Sequence, residues 1–413
     1  MTSLEATEPR SDSAPPVPQV FDTPQLVSTR RERLERELGS APFDAYLAID
    51  PANVDYAIGY RSVAGAVHNL AGIGAVVTPG ATTVAAPIAD APSVLELGAR
   101  VEDYFGYGRF FFESTDASSA VSRMVGNHKG FPAALAAALH SAGLARATVG
   151  FDADALHPRD RAALEAAVPH ARLVDASAWS RHVRRIKLPA EIARLREAAR
   201  VTENAIHTAI DAATLGMSER DLQTRVTTEL ASGGMTPRFV VATSGPRSAF
   251  ADTPASADQR LIQGDLVRFD VGGQLDGYWS DLGRTAVVGA PEALQQSRYR
   301  AILAGEDAQF EIAGPGVPAS RVFTAAVEQV EALGLAPYRR HHCGHGIGLN
   351  AYEAPIIAPD TDQVLEAGMV FCFETPYYQL GWGGMMVEDT LVITDDGYEL
   401  LSVSDRSLRV IEP

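Results

Sequence analysis

The sequence predicts an α/β domain followed by an α+β domain made of two similar halves. Three observations predict this. Strands and helices alternate up to about residue 180. The order helix, helix, strands then occurs twice between residues 190 and 394. The length of 413 residues suffices for two or three domains, and the 46% apolar share is that of an ordinary globular protein.

Residues 1–25 are rich in Pro, Ser and acids and read as a disordered lead-in. With no basic start and no apolar core segment, they do not read as a secretory signal. The first domain is placed at 26–182. A charged helix is expected from about Val27 to Glu37, then a strand over FDAYLAID (43–50). GIGAVVTPG and TTVAAPIAD read as two strands around a Pro-Gly turn. A helix over 133–144 ends near a glycine, and RATVGFDAD follows as a strand. The basic run RHVRRIK reads as a solvated linker, with a binding patch as the alternative.

The second domain is placed at 183–413. Pro189 suits the first turn of a helix, and Glu191 follows close behind. Ile192, Leu195, Ala199, Ile206 and Ile210 share one helical face. Helices over 190–213 and 218–232 precede strands between 265 and 288. Helices over 297–313 and 319–333 precede strands between 369 and 394. Two halves whose strands meet in one sheet, with helices on one face, satisfy this pattern.

Charge and cysteines narrow the function. Lys and Arg number 35 against 52 Asp and Glu, a net charge of −17. Such a chain repels phosphate backbones, so no nucleic-acid partner is expected. Two cysteines, Cys343 and Cys372, make no disulfide framework and suit a reducing compartment. The longest apolar runs are too short to span a membrane. A cytoplasmic protein is expected.

Four carboxylates interrupt apolar strand patterns: Asp270 in DLVRFDVGG, Asp281 in GYWSDLGRTAVVG, Glu374 in GMVFCFETPYY and Glu388 in GGMMVEDTLVIT. A carboxylate withdrawn from water must protonate or find a cation. His345, in HHCGHGIGLNAYEAP, adds one imidazole, and its flanking glycines are expected to let a loop turn close to the site. An oxygen-rich set with one imidazole suits two divalent ions, Mn, Zn, Co or Fe, better than a structural zinc. Such a pair generates hydroxide near neutral pH and polarises a carbonyl, the chemistry of amide hydrolysis.

At these residues the chain resembles the aminopeptidase P, prolidase and methionine aminopeptidase superfamily, the pita-bread metallohydrolases. The resemblance covers roughly 183–413, with a creatinase-type domain before it. It rests on FDVGG, SDLGRT, CGHGIGL, FETP and VEDT in that order, with Asp281 following Asp270 by 11 residues. It implies a pita-bread fold. It implies Asp270 as a two-oxygen ligand of one metal, Asp281 and Glu388 as bridging ligands, and His345 and Glu374 as ligands of the other. It also implies a homodimer.

The resemblance breaks at the organic part of the pocket. Peptidases of the family commonly place histidines at two positions taken here by Asp252, in TSGPRSAFADTPAS, and Tyr352, seven residues after His345. His341 resembles a further pocket histidine. Met386 stands where prolidase-like members often carry Arg, on the strand face of Glu388. Asp can serve as a base, and Tyr donates a proton readily but is a poor base. Cys372 reads as a small buried hydrophobe near the site, and His68 as a surface histidine.

The expected function is therefore dinuclear-metal hydrolysis of an amide or related C–N bond in a short peptide or small molecule, and not standard X-Pro cleavage. A metal-dependent lyase, with Asp252 and Tyr352 moving protons, is the alternative. A non-catalytic binding protein is a third reading, which the complete ligand set disfavours.

Overall fold

The computed structural model describes residues 23–63, 72–113 and 128–412. Residues 1–22 of the expected lead-in, and His68, lie outside them. The first helix, α1 (Thr23–Leu38), already begins within the stretch read as lead-in.

The N-terminal domain is a six-stranded mixed sheet in the order β4-β3-β2-β1-β5-β6. Its strands are β1 (Ala45–Ala48), β2 (Gly74–Thr78), β3 (Ala81–Pro87), β4 (Tyr104–Tyr107), β5 (Thr148–Phe151) and β6 (Arg172–Asp175). Its helices after α1 are α2 (Pro51–Ile58), α3 (Ala91–Glu96), α4 (Phe131–Ser141) and α5 (Pro158–Ala167). Successive residues of a strand face opposite sides. Tyr46 and Ala48 therefore pack with Leu34, Leu38 and Tyr56, while Ala45 and Leu47 pack with Leu135, Leu139 and Leu164. A central strand buried on both faces explains the nearly unbroken apolar run in the sequence.

Helix α6 (Ser177–Arg185) leads into the C-terminal domain. Here the linker expectation is corrected. Arg184 and Lys187 are not solvated. Both are buried, and they donate to Glu353 at 2.7 and 2.8 Å. Charge density alone could not reveal a buried acid 166 residues further on.

The C-terminal domain has the α+β pita-bread arrangement. Helices α7 (Pro189–Asp211), α8 (Glu219–Ser232), α9 (Ala293–Ile312) and α10 (Ala319–Ala332) cover one face of a curved nine-stranded sheet. The main path is β11-β10-β12-β15-β9-β8-β7. Its strands are β7 (Thr236–Ser244), β8 (Leu266–Leu275), β9 (Tyr278–Val288), β10 (Gly344–Gly346), β11 (Glu353–Ile356), β12 (Val370–Glu374) and β15 (Glu388–Ile393). A small hairpin, β13 (Tyr377–Gln379) and β14 (Gly383–Met385), lies apart. β16 (Tyr398–Leu400) and β17 (Arg409–Ile411) pair with β15 and β9.

The helix ends obey their local signals. Pro189 opens α7, and the Glu191 carboxylate accepts from the Leu188 amide at 2.7 Å. Ser218 caps α8 by accepting from the Asp221 amide at 3.2 Å, while Asp221 accepts from the Ser218 amide at 2.9 Å. Leu195, Ala199, Ile206 and Ile210 are buried, and Ile192 packs at their edge.

Edge strand β7 was not expected, because its TPRF start carries a proline and a register shift between Pro237 and Phe239. One apolar cluster runs from Leu34 and Tyr46 to Leu195, Val226 and Phe269, so the two domains share a core. Arg30 of α1 reinforces the joint. It is buried, donates to the Tyr278 hydroxyl at the start of β9 and pairs with Glu191 at 3.7 Å. Among the described residues no helix is long and apolar enough to cross a membrane.

Candidate metal centre

Strand alternation decides which side chains reach the concave face. On β8, Phe269 and Val271 pack in the core beneath α7 and α8, which turns Asp270 the other way. Register then aligns the acids. Asp270 lies opposite Gly283, Gly283 opposite Glu388, and Glu388 opposite Glu374. One row thus crosses β8, β9, β15 and β12, with carboxylates on three strands and glycine on the fourth. A Cβ at Gly283 would stand 2.6 Å from Met386 Cγ and 3.1 Å from Glu388 Cβ, so the row needs glycine there.

Asp281 is two residues from Gly283 and faces the same way. His345 enters from β10, opposite Cys372. The loop expected around His345 is instead a strand inserted between β11 and β12. Gly344 has φ 135°, and a Cβ there would sit 2.3 Å from the Cys372 carbonyl oxygen. The glycine serves close strand approach, where the sequence suggested a turn.

The structure brings Asp281, His345 and Glu388 together, each offering one donor atom within 4.8 Å of the others. His345 Nε2 lies 3.6 Å from Asp281 Oδ2 and 4.0 Å from Glu388 Oε1. His345 Nδ1 faces the Gly346 carbonyl at 3.0 Å, so it carries a proton and turns Nε2 toward the acids. Asp270 and Glu374 flank this trio on the same row. Neither belongs to it.

Charges surround the row. Arg268 is fully buried and donates to Asp270 at 3.1 Å. Its other N–H groups donate to the carbonyls of Ser248, Phe250 and Ala251, the segment that leads to Asp252. Glu374 accepts from His342 Nδ1 at 2.8 Å and has Arg340 at 3.7 Å.

Burial pushes Asp270 up to about 7, and the neighbouring Asp281 adds to the shift against the pull of Arg268. Burial also raises Asp281, opposed by His345. Glu388 is driven well up by burial and then by Asp281, Glu374 and Asp270. Burial alone would raise Glu374 too, but the His342 hydrogen bond and the nearby cationic groups hold it down. His345 is held up against its burial by Asp281.

These observations fit divalent cations. The Nε2 of His345 and Oε2 of Glu388 are buried with no hydrogen-bond partner among the described residues. Oxygen donors with one imidazole suit borderline divalent ions, and packed acids with raised pKa values lack positive charge.

The other candidates are placed as follows. Tyr352 stacks on His345, and burial pushes its phenol far up. Asp252 is exposed and acts on Asp270 through its charge. His341 is exposed and packs edge-on against His342 at 4.2 Å. It is His342 that reaches Glu374, a residue the sequence reading passed over with no motif to mark it. Arg268 was also missed, although its two-residue spacing from Asp270 put it on the same face. Met386 Sδ lies 3.9 Å from Arg268 Nη1, beside the row. Cys372 is buried, its thiol 3.5 Å from the Asp281 carbonyl oxygen.

Residues 30–186 match the family model for the Creatinase/Prolidase N-terminal domain, and residues 193–395 that for Metallopeptidase family M24. The Xaa-Pro dipeptidase of Pyrococcus furiosus is 35% identical over 228 residues, 55% of this chain and 65% of that protein. The probable dipeptidase PepE of Mycobacterium tuberculosis is 35% identical over 219 residues, 52% of this chain and 58% of that protein. The matched stretch spans less than two thirds of the length of these curated relatives. Among solved structures, the prolidase from Pyrococcus horikoshii superposes with a TM-score of 0.75 at 26% identity, covering 92% of this chain and 99% of that one.

Proposed function

This chain belongs to the pita-bread metallopeptidases, a Creatinase/Prolidase N-terminal domain joined to a family M24 domain, and on that premise we propose a dinuclear-metal hydrolase. It cleaves an amide or related C–N bond of a short peptide or small molecule. The observation that carries the reading is the carboxylate row with two buried donor atoms at its centre, Glu388 Oε2 within it and His345 Nε2 beside it, neither with a hydrogen-bond partner among the described residues. Asp281, His345 and Glu388, with Asp270 and Glu374 flanking them, are the residues that would hold the ions. Mn, Zn, Co and Fe all suit this donor set. When bound, such ions polarise a carbonyl and lower the pKa of water.

The protein residues around them do the rest. His342 and Arg340 keep Glu374 ionised. Tyr352, pushed far above its usual pKa, stays a neutral phenol that donates a hydrogen bond to substrate. Asp252 puts an acid at the exposed rim.

The relatives' names point to peptides ending in proline. We propose a different preference here. Two positions where the family commonly has imidazoles hold Asp252 and Tyr352, and Met386 replaces an expected guanidinium. Removing one donor to a developing oxyanion costs about 2.7–4 kcal/mol, and an ionised Asp252 repels that charge. The same acid attracts a cationic amine or guanidine on the substrate. A panel of Xaa-Pro dipeptides and tripeptides beside amides bearing free amino or guanidino groups, with Mn, Co, Zn and Fe supplied in turn, tests this. Rapid Xaa-Pro cleavage across several first residues would refute the preference. Product formed in heavy-oxygen water carries solvent oxygen if the reaction is hydrolysis, and an elimination need not incorporate any.

A further inference from the structure

The two halves of the C-terminal domain meet along β9 and β15, and this seam is held unlike the rest of the sheet. β8 pairs with β9 from Leu266–Val287 through to Leu275–Tyr278, and β12 pairs with β15 from Val370–Val392 to Glu374–Glu388. Between β9 and β15 the only register pair among the described residues is Gly283 with Glu388.

Antiparallel register makes Thr285–Met386 and Asp281–Thr390 the facing positions two residues to either side of that pair. At the first a threonine hydroxyl takes both main-chain bonds of the facing residue, and at the second a threonine hydroxyl reaches the facing carbonyl. Thr285 Oγ1 accepts from the Met386 amide at 2.8 Å and donates to the Met386 carbonyl at 2.8 Å. Thr390 Oγ1 donates to the Asp281 carbonyl at 3.4 Å, while the Thr390 amide donates to Ser402 Oγ at 2.9 Å. Both threonines are buried. Arg284 fastens the middle, donating to the Glu388 carbonyl at 2.7 Å and to Asp389 at 2.6 Å.

We infer that Thr285 and Thr390 are positioning residues, hydroxyl spacers that hold β9 and β15 apart around one pinched pair and so set the gap between the Asp281 and Glu388 carboxylates. A hydroxyl inserted between two main chains makes them stand further apart than a direct N–H···O=C bond allows. The pinch at Gly283 brings Glu388 close, and the spacers open the seam where Asp281 must share a cation with it. This role rests on the metal-centre reading above and adds to it the residues that fix its width.

The test uses the full chain, stripped of metal and titrated with Mn(II), as parent, Thr285→Val, Thr285→Ser, Thr390→Val and Thr390→Ser. Valine keeps the shape and loses the hydroxyl; serine keeps the hydroxyl. Partners of this kind are worth about 10–100-fold in metal affinity, so each valine variant should weaken Mn(II) binding by that order, and each serine should restore most of it. Valine variants that bind Mn(II) as the parent does overturn the inference, as does a loss that serine fails to restore.

Hydrogen exchange of the Met386 amide in metal-free protein separates the two readings. It should be protected in the parent and Thr285→Ser, and fast in Thr285→Val. A parent that takes up no Mn(II) defeats the metal reading. Unchanged Met386 protection in Thr285→Val would defeat the spacer role whatever the metal result.

Discussion

The ring of Tyr352 lies over the imidazole of His345, centroids 3.7 Å apart and planes 21° from parallel. The stack roofs the ligand-bearing side of the row with a phenol where the relatives' pattern suggests an imidazole. Stacked aromatic pairs contribute about 0.5–1.5 kcal/mol beyond their buried area, so Tyr352 also braces His345. Tyr352→His should raise turnover of Xaa-Pro dipeptides and lower it for the native substrate. Steady-state kinetics on both substrate classes checks this, and no gain on any Xaa-Pro peptide would remove Tyr352 as a specificity residue.

Asp281→Asn and Glu388→Gln should abolish turnover, because an amide has no charge with which to hold two cations. The same variants should melt higher than the parent when metal-free at pH 8. Burial makes both carboxylates costly to ionise, and the amide relieves that cost. Calorimetry of stripped proteins, together with metal analysis, decides the matter. A glutamine variant at 388 with normal metal content and turnover would take that residue out of the centre.

Metal removal should have a pH-dependent effect on stability. The carboxyls of Asp270, Asp281 and Glu388 are raised in the folded state, Asp270 to about 7. A raised acid binds more protons folded than unfolded, so metal-free stability falls as pH rises from the ordinary carboxylate range through about 7. Added Mn(II) should therefore raise the melting temperature more at pH 8 than at pH 5.5. Equal gains at both would contradict the raised values.

Glu353 has the opposite sign. Burial alone would raise it, but Lys187 and Arg184 outweigh burial and hold it below its ordinary value. Its contribution is complete above the unfolded pKa and is lost as pH falls through the depressed folded one. Glu353→Gln leaves two buried cations unpartnered and should cost about 3–5 kcal/mol at pH 7. The gap between parent and variant in urea unfolding should shrink toward pH 3.

A homodimer remains an expectation from the family. Light scattering at micromolar concentration should give twice the 43.9 kDa chain mass. The monomer mass would refute it.

Much of the C-terminal domain was legible in the sequence, because its helices carry strong periodicity and explicit start signals such as Pro189 and Ser218. The acids of the row were legible for a related reason: each interrupts an apolar strand pattern, and a period of two gives its face. What sequence could not supply was register across strands. Nothing in the order of residues says that Asp270, Gly283, Glu388 and Glu374 form one line, or that Glu374 meets His342 rather than His341. Those facts depend on which strands neighbour one another, a property of the whole sheet. The basic stretch before Pro189 was misread on the same account, since its acid partner lies far along the chain.

The pairing of Arg184 and Lys187 with Glu353 also says where this molecule can be cut. A recombinant fragment that starts at the family M24 match, residue 193, discards both cations and keeps the buried acid they neutralise. It also loses Arg30 and Glu191, both partners of the Tyr278 hydroxyl. Such a fragment would open a charged wound directly beneath the hairpin that carries His345 and Tyr352. For anyone engineering the C-terminal half alone, the helix Ser177–Arg185 belongs with it, and the core the two domains share ties the strands before that helix to it as well.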